Sequence, residues 1–272
     1  MSQQERWQLG GNAPEVYERY LVPALFGPWA PVVMEQAALQ PGERVLDVAC
    51  GTGVVARLAA SHVGAAGQVT GVDLNPGMLA VARTLAPPQG ALVDWREGNA
   101  AALPFSPATF HVVFCQLGLQ YFPDRPQALR EMYRVLMPRG RLLLLVWRAI
   151  AHSPGFGALA EALERHVSPA AGAVMRAPFV FGDATEELRT LLTEAGFRTV
   201  RIRSDVRMVR FASPEALVQY QVAGSPLASH VAQVDDAARE AVIREVTAAM
   251  QAYLNDEGMA FPIEGHIAVA HP

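Results

Sequence analysis

Apolar positions along the chain alternate between two spacings. Short runs at about 43–48, 68–73, 91–96, 110–115 and 141–147 read as strands, while the segments at about 52–63, 76–86 and 125–137 carry apolar residues every three to four positions, as a one-sided helix does. The run Leu142 to Trp147 is wholly apolar, which predicts a central strand covered on both faces. Before it, Ala128, Leu129, Met132, Val135 and Leu136 form the buried stripe of a helix, and Pro138-Arg139-Gly140 predicts the turn between them. This alternation predicts a doubly wound α/β sheet. Residues 13–40 read as two helices broken around Gly27-Pro28; they precede the first strand, so they pack outside the sheet unit. After Ser153 the pattern gives a helix to about Val167, a Gly/Ala/Pro-containing connection and a helix over Glu186 to Ala195. A strand at 197–211, helices at 214–223 and 235–254, and a last strand from Met259 to Ala270 complete the chain.

Val45-Leu46-Asp47-Val48-Ala49-Cys50-Gly51-Thr52-Gly53 reads as the first strand running into a glycine turn that opens a helix. Gly51 and Gly53 lack the Cβ atoms that would hold a ligand away from the backbone. The turn lies at the carboxyl edge of the sheet, where open α/β sheets bind ligands. Gly51 to Ala56 fits the dinucleotide fingerprint, and Asp73 follows Gly53 by 20 residues, where an acid takes ribose hydroxyls. An NAD(P)-dependent oxidoreductase is therefore one reading. Asp47 argues against it, because a carboxylate just before the turn does nothing for an anionic pyrophosphate and favours a cationic ligand.

With these residues, and over roughly residues 43–147, the chain resembles the class I S-adenosylmethionine-dependent methyltransferases, in the small-molecule branch related to the ubiquinone and menaquinone C-methyltransferases. The resemblance implies a seven-stranded Rossmann-like sheet whose last strand inserts antiparallel between the fifth and sixth. It also implies that Asp47, Ala49, Gly51 and Gly53 hold the methionyl end of S-adenosylmethionine and that Asp73 holds the ribose. Leu74 and Met78 would pack on the adenine, and Asn99 and Ala100 belong to the next motif, with Asn99 standing where the family usually has Asp. The loop from Cys115 to Asp124 would meet cofactor and acceptor: Gln116 by its backbone, Gln120 and Tyr121 either facing the pocket or shaping the loop. Residues 1–42 correspond to an N-terminal helical lid in which Tyr20 or Trp29 faces the sulfonium or the acceptor. Residues 43–150 correspond to the cofactor-binding core of a single domain, and 151–272 to the remaining sheet with a second lid inserted at about 212–258.

Composition narrows the chemistry. The 22 basic side chains are all arginine, which excludes lysine Schiff bases, a P-loop lysine and a Tyr/Lys catalytic pair. A net charge of −4 without a long basic run disfavours a nucleic-acid substrate. Cys50 and Cys115 have no metal spacing and read as buried apolar groups, so no metal is expected. No apolar run approaches the length of a membrane span, and the amino terminus has no leader pattern; with the lysine-free composition this gives a cytoplasmic, bacterial protein, with a homodimer allowed. His111, at the start of its strand, is expected to be structural. His152, after the fifth strand, is the candidate general base should the acceptor be a phenol or enol. The arginines of 197–211 read as a solvated edge, with Arg207 or Arg210 as the alternative anion binders. The resulting expectation is methyl transfer from S-adenosylmethionine to oxygen, nitrogen or carbon of a small, largely apolar acceptor. A non-catalytic S-adenosylmethionine-binding partner subunit stands beside the oxidoreductase as an alternative.

Overall fold

The computed structural model describes residues 11–86, 89–183, 185–232 and 234–272. Five parallel strands, β1 (Arg44–Val48), β2 (Gln68–Asp73), β3 (Val93–Glu97), β4 (Phe110–Gln116) and β5 (Leu136–Trp147), are followed by β6 (Thr199–Phe211), the two-residue β7 (Leu254–Asn255) and β8 (Gly258–His271). The sheet order is β3-β2-β1-β4-β5-β8-β6, with β7 pairing on β8. β8 runs antiparallel between β5 and β6, as the resemblance implies. Reversal of strand order between β1 and β4 opens a crevice at the carboxyl edge, the ligand position of doubly wound sheets.

The pleat divides the core. Val112, Phe114, Leu143 and Leu145 pack on one face, and Val113, Cys115, Leu142 and Leu144 on the other, so β4 and β5 are buried on both sides. The first face is covered by α2 (Ala30–Ala37), α3 (Val54–Val63) and α6 (Pro154–His166), and the second by α5 (Arg125–Val135) and α8 (Thr185–Glu194). Two more helices concern the site: α4 (Pro76–Thr84), which follows β2, and α7 (Pro169–Arg176), which lies in the expected Gly/Ala/Pro connection. The three last helices are α9 (Pro214–Ala223), α10 (Leu227–Val231) and α11 (Asp236–Ala249).

Several boundaries differ from expectation for local reasons. α3 starts at Val54 rather than at Thr52, because Gly51 and Gly53 both take left-handed conformations, with φ of +56° and +88°. Pro138-Arg139-Gly140 lies within an irregular start of β5: pairing passes from Phe110–Leu136 to Val112–Arg141, and Arg139 takes φ 66°. The amino-terminal helix, α1 (Ala13–Val16), continues as a wide π-helical stretch over Tyr17–Phe26 that contains Pro23. Pro23 cannot donate to the regular helical ladder, and the Gly27 N–H reaches back five residues to the Val22 carbonyl. Residues 1–10 of the expected amino-terminal lid lie outside the described residues.

Candidate functional site

The glycine turn is built by two carboxylates from neighbouring strands. Gly53 offers no side chain to cap α3, and the Oδ2 of Asp47, reaching from inside β1, accepts the Ala56 N–H at 3.0 Å instead. This satisfies one orphan donor of the helix and sets an acidic group at its positive end. Burial pushes the Asp47 carboxyl up to about 8. Asp73, at the end of β2, accepts the Gly51 N–H through Oδ2 at 2.7 Å and the Asn75 N–H through Oδ1 at 2.9 Å, so it fastens the turn after β1 to the loop after β2. Burial also raises its carboxyl, while these backbone donors oppose the shift. The Asn75 side chain then caps α4 by accepting from Gly77 and Met78.

Alongside, Ala49 and Leu117 take left-handed conformations at φ 57° and 61°, a strain held where β1 and β4 end side by side. A Cβ on Gly118 would lie 2.7 Å from that of Ala49, so glycine is what allows these two loops to touch. The Oδ1 of Asn99 accepts the Ala101 N–H at 2.9 Å, and the loop it begins is anchored by Glu131, which accepts from the Leu103 N–H, and by Arg134, which donates to the Leu103 and Phe105 carbonyls.

A cavity of about 440 Å³ opens over this edge. Its polar rim is formed by Ala49, Gly51, Asp73, Asn99, Ala100 and Gln116, with Leu74 and Met78 beside them, and its far wall by Trp147, Phe156, Met175, Phe179 and Leu227. Three helical covers close it: Tyr17 to Phe26, the segment from α6 to Phe179, and α9 with α10. The first and third meet through Tyr20 stacked on Tyr220 at 4.0 Å, and Glu18 ties the first to the turn through Arg57 at 3.4 Å.

Not every expected residue reaches this cavity. Asp47 lies behind the turn, occupied with α3. Gly53 is covered by Trp95: a Cβ there would fall 2.1 Å from the indole, so its missing side chain serves packing between strand and turn rather than approach of a ligand. Tyr20 is spent on Tyr220, and Trp29 is fully buried edge-on to Trp147, 5.7 Å between centroids. Gln120 shapes the loop by accepting the Trp147 N–H at 3.1 Å, whereas Tyr121 lines the cavity and burial pushes its hydroxyl up to about 12. Gln116 meets the cavity, and its Nε2 donates to the Phe26 carbonyl at 3.1 Å, leaving Oε1 unpartnered.

His152 is outside the cavity wall, with Nε2 2.9 Å from Asp183 and Nδ1 3.6 Å from Glu264, a cluster completed by Arg148. His111 sits at the opposite edge and accepts the Arg44 N–H through Nδ1. Arg207 pairs with Asp205 at 2.9 Å and covers the Trp29 ring. Sequence reasoning missed Tyr17, whose hydroxyl stands 3.5 Å from where a Gly51 Cβ would be, and Gln221 of α9. Tyr17 lies one turn before Tyr20, and only the π-helical phase decides which ring turns inward. Gln221 has a weaker signal: it shares a helical face with Leu217 and Val218.

The donor set fits an adenosyl sulfonium group. The Asp73 oxygens keep lone-pair capacity beyond the bonds they accept from the backbone, and Leu74, Met78 and Val72 offer an apolar shelf. Among the described residues there is no group of three or more His, Cys, Asp or Glu able to hold a metal, and no helix is long and apolar enough to cross a membrane.

Comparison with known proteins agrees with this geometry. Residues 46–144 match the methyltransferase domain family. The chain is 41% identical over 119 residues to a 2-phytyl-1,4-naphtoquinone methyltransferase of Thermosynechococcus vestitus, covering 43% of this chain and 52% of that one. It is 39% identical over 119 residues to a ubiquinone/menaquinone biosynthesis C-methyltransferase of Legionella pneumophila, covering 43% and 48%. The match thus spans about half the length of these curated relatives. Among solved structures, one from Anabaena variabilis, described as a candidate methyltransferase of an antibiotic biosynthesis pathway, superposes with a TM-score of 0.63 at 17% identity over 90% of this chain and 97% of its own. At that identity the likeness speaks for the fold alone.

Proposed function

We propose that this chain, which carries the methyltransferase domain over residues 46–144, transfers a methyl group from S-adenosylmethionine to oxygen, nitrogen or carbon of a small, largely apolar acceptor. The observation that carries this reading is one continuous cavity joining the Gly51/Asp73 rim to a chamber walled by Trp147, Phe156 and Phe179. S-adenosylmethionine supplies a methyl group already activated on a sulfonium, so alignment of the acceptor provides most of the acceleration. In this reading Asp73 accepts from the ribose hydroxyls, Leu74 and Met78 bracket the adenine, and Asn99 and Ala100 meet its edge. Asp47 acts indirectly, by fixing the start of α3 and with it the backbone of Ala49 and Gly51. The aromatic wall excludes water and holds a flat apolar acceptor.

The organisation proposed is one domain, with residues 43–150 binding the cofactor and the amino-terminal helices and about 212–258 acting as lids, joined by the segment from α6 to Phe179, whose side chains line the same cavity. Methyl transfer from labelled S-adenosylmethionine, screened over phenols, quinones and amines, tests the proposal. Label transferred to at least one class, and reduced in Asp73→Ala at limiting S-adenosylmethionine, is the expected result.

A further inference from the structure

Among the polar side chains that the covering segments bring to the cavity is an amide, that of Gln221. α9 buries Ala216, Leu217, Val218 and Gln221 along one face, and Gln221 is 5% exposed. It shares the cavity lining with the largely apolar side chains of Phe156, Met175, Phe179 and Leu227. The Nε2 of Gln221 has no hydrogen-bond partner, although a buried amide donor without one is destabilising. Its backbone carbonyl is engaged, accepting from the Ser225 hydroxyl, so the helix end that carries it is fixed. Asp73 and Gly51 belong to the rim formed by the strand ends, whereas Gln221 lines the same cavity from the cover.

We propose that Gln221 is a specificity-determining residue, whose carboxamide Nε2 donates a hydrogen bond to a carbonyl or phenolate oxygen of a planar, otherwise apolar acceptor. This rests on the methyltransferase reading and narrows its substrate class. An acceptor bearing such an oxygen satisfies the buried donor, and a hydrocarbon of the same shape leaves it unpaired. Selection against the hydrocarbon then comes from the protein's own unsatisfied group, the arrangement by which polar pockets discriminate most strongly. The same bond orients the acceptor's ring within the aromatic wall and so fixes which ring atom faces the rim.

The test uses 1-tetralone and tetralin, which share a bicyclic frame and differ by one carbonyl oxygen. Their binding to the full chain saturated with S-adenosylhomocysteine is followed by tryptophan fluorescence, since Trp147 lies in the wall. The wild type is expected to prefer tetralone by about tenfold, one good hydrogen bond. Gln221→Met, of similar length and apolar, is expected to lose that preference, binding tetralin at least as tightly as the wild type does and S-adenosylhomocysteine equally. The unchanged S-adenosylhomocysteine affinity also reports that the variant is folded. A preference that survives in Gln221→Met overturns the assignment, as does failure of both probes to bind a wild type that holds S-adenosylhomocysteine. Failure of the wild type to bind S-adenosylhomocysteine overturns the methyltransferase reading itself, and this inference with it.

Discussion

Asp47 is a buried acid whose visible work is to cap a helix from a neighbouring strand. Its carboxyl is pushed up to about 8 by burial, against 3.8 in an unfolded chain. Between those values the folded protein keeps the proton that the unfolded chain releases, so rising pH costs stability across that window, by at most about 1.4 kcal/mol per pH unit. Asp47→Asn keeps an acceptor for Ala56 and removes the titration. Urea unfolding at pH 5 and pH 8 is therefore expected to show the wild type losing stability relative to Asp47→Asn as pH rises, and parallel profiles would refute the buried-acid account. His152 illustrates the opposite case: sequence position alone makes it a base, and its neighbours make it part of an ion-pair cluster with Asp183, Glu264 and Arg148 outside the cavity wall. His152→Ala is expected to leave the single-turnover rate within about twofold, whereas loss of a working general base costs about 100-fold or more.

At the scale of elements, the turn between β1 and α3 is shaped as much by Trp95 as by any ligand. The indole lies across Gly53 and Gly71, and a Cβ on either would come within 2.5 Å of it. Gly53→Ala adds this overlap to a left-handed φ of +88°, and is expected to cost about 2 to 4 kcal/mol in denaturant unfolding. Trp95→Ala in the same chain should return the steric part, leaving the conformational part. Equal losses with and without the indole would show that the ring is not the obstacle. This also marks what the sequence can and cannot tell. Strand and helix order, the antiparallel last strand and the motif residues Ala49, Gly51, Asp73, Leu74, Met78, Asn99 and Ala100 follow from local pattern and resemblance, because each group is contiguous and sits at one strand end. The dual meaning of Gly53 was hidden, since its partner is 42 residues away on β3. Tyr17 and Gln221 were hidden for a similar reason: the wall they complete is assembled from covering helices, whose rotation no periodicity fixes. The part of the cover from α7 to Phe179 read as a mere connection because its small residues carry little helical signal.

Across the molecule, access to the cavity depends on helices that do not belong to the sheet. The stretch Tyr17–Phe26 and α9 meet at Tyr20 and Tyr220 and again at Leu21 and Gly224. Hydrogen exchange in Ala13–Trp29 and α9–α11 is expected to slow when S-adenosylhomocysteine and an acceptor bind, while β4 and β5 stay unchanged; protection identical in both states would contradict a lid. The central claim concerns the rim beneath that cover, where Asp73 joins the turn after β1 to the loop after β2. Titration calorimetry with S-adenosylmethionine and, separately, NAD tests it most directly. The account predicts stoichiometric binding of S-adenosylmethionine, none of NAD, and an affinity for S-adenosylmethionine weakened by about 1.5 to 3 kcal/mol in Asp73→Ala, the range for hydrogen bonds to a charged group. Binding of NAD in its place, or an S-adenosylmethionine affinity indifferent to Asp73→Ala, would contradict it.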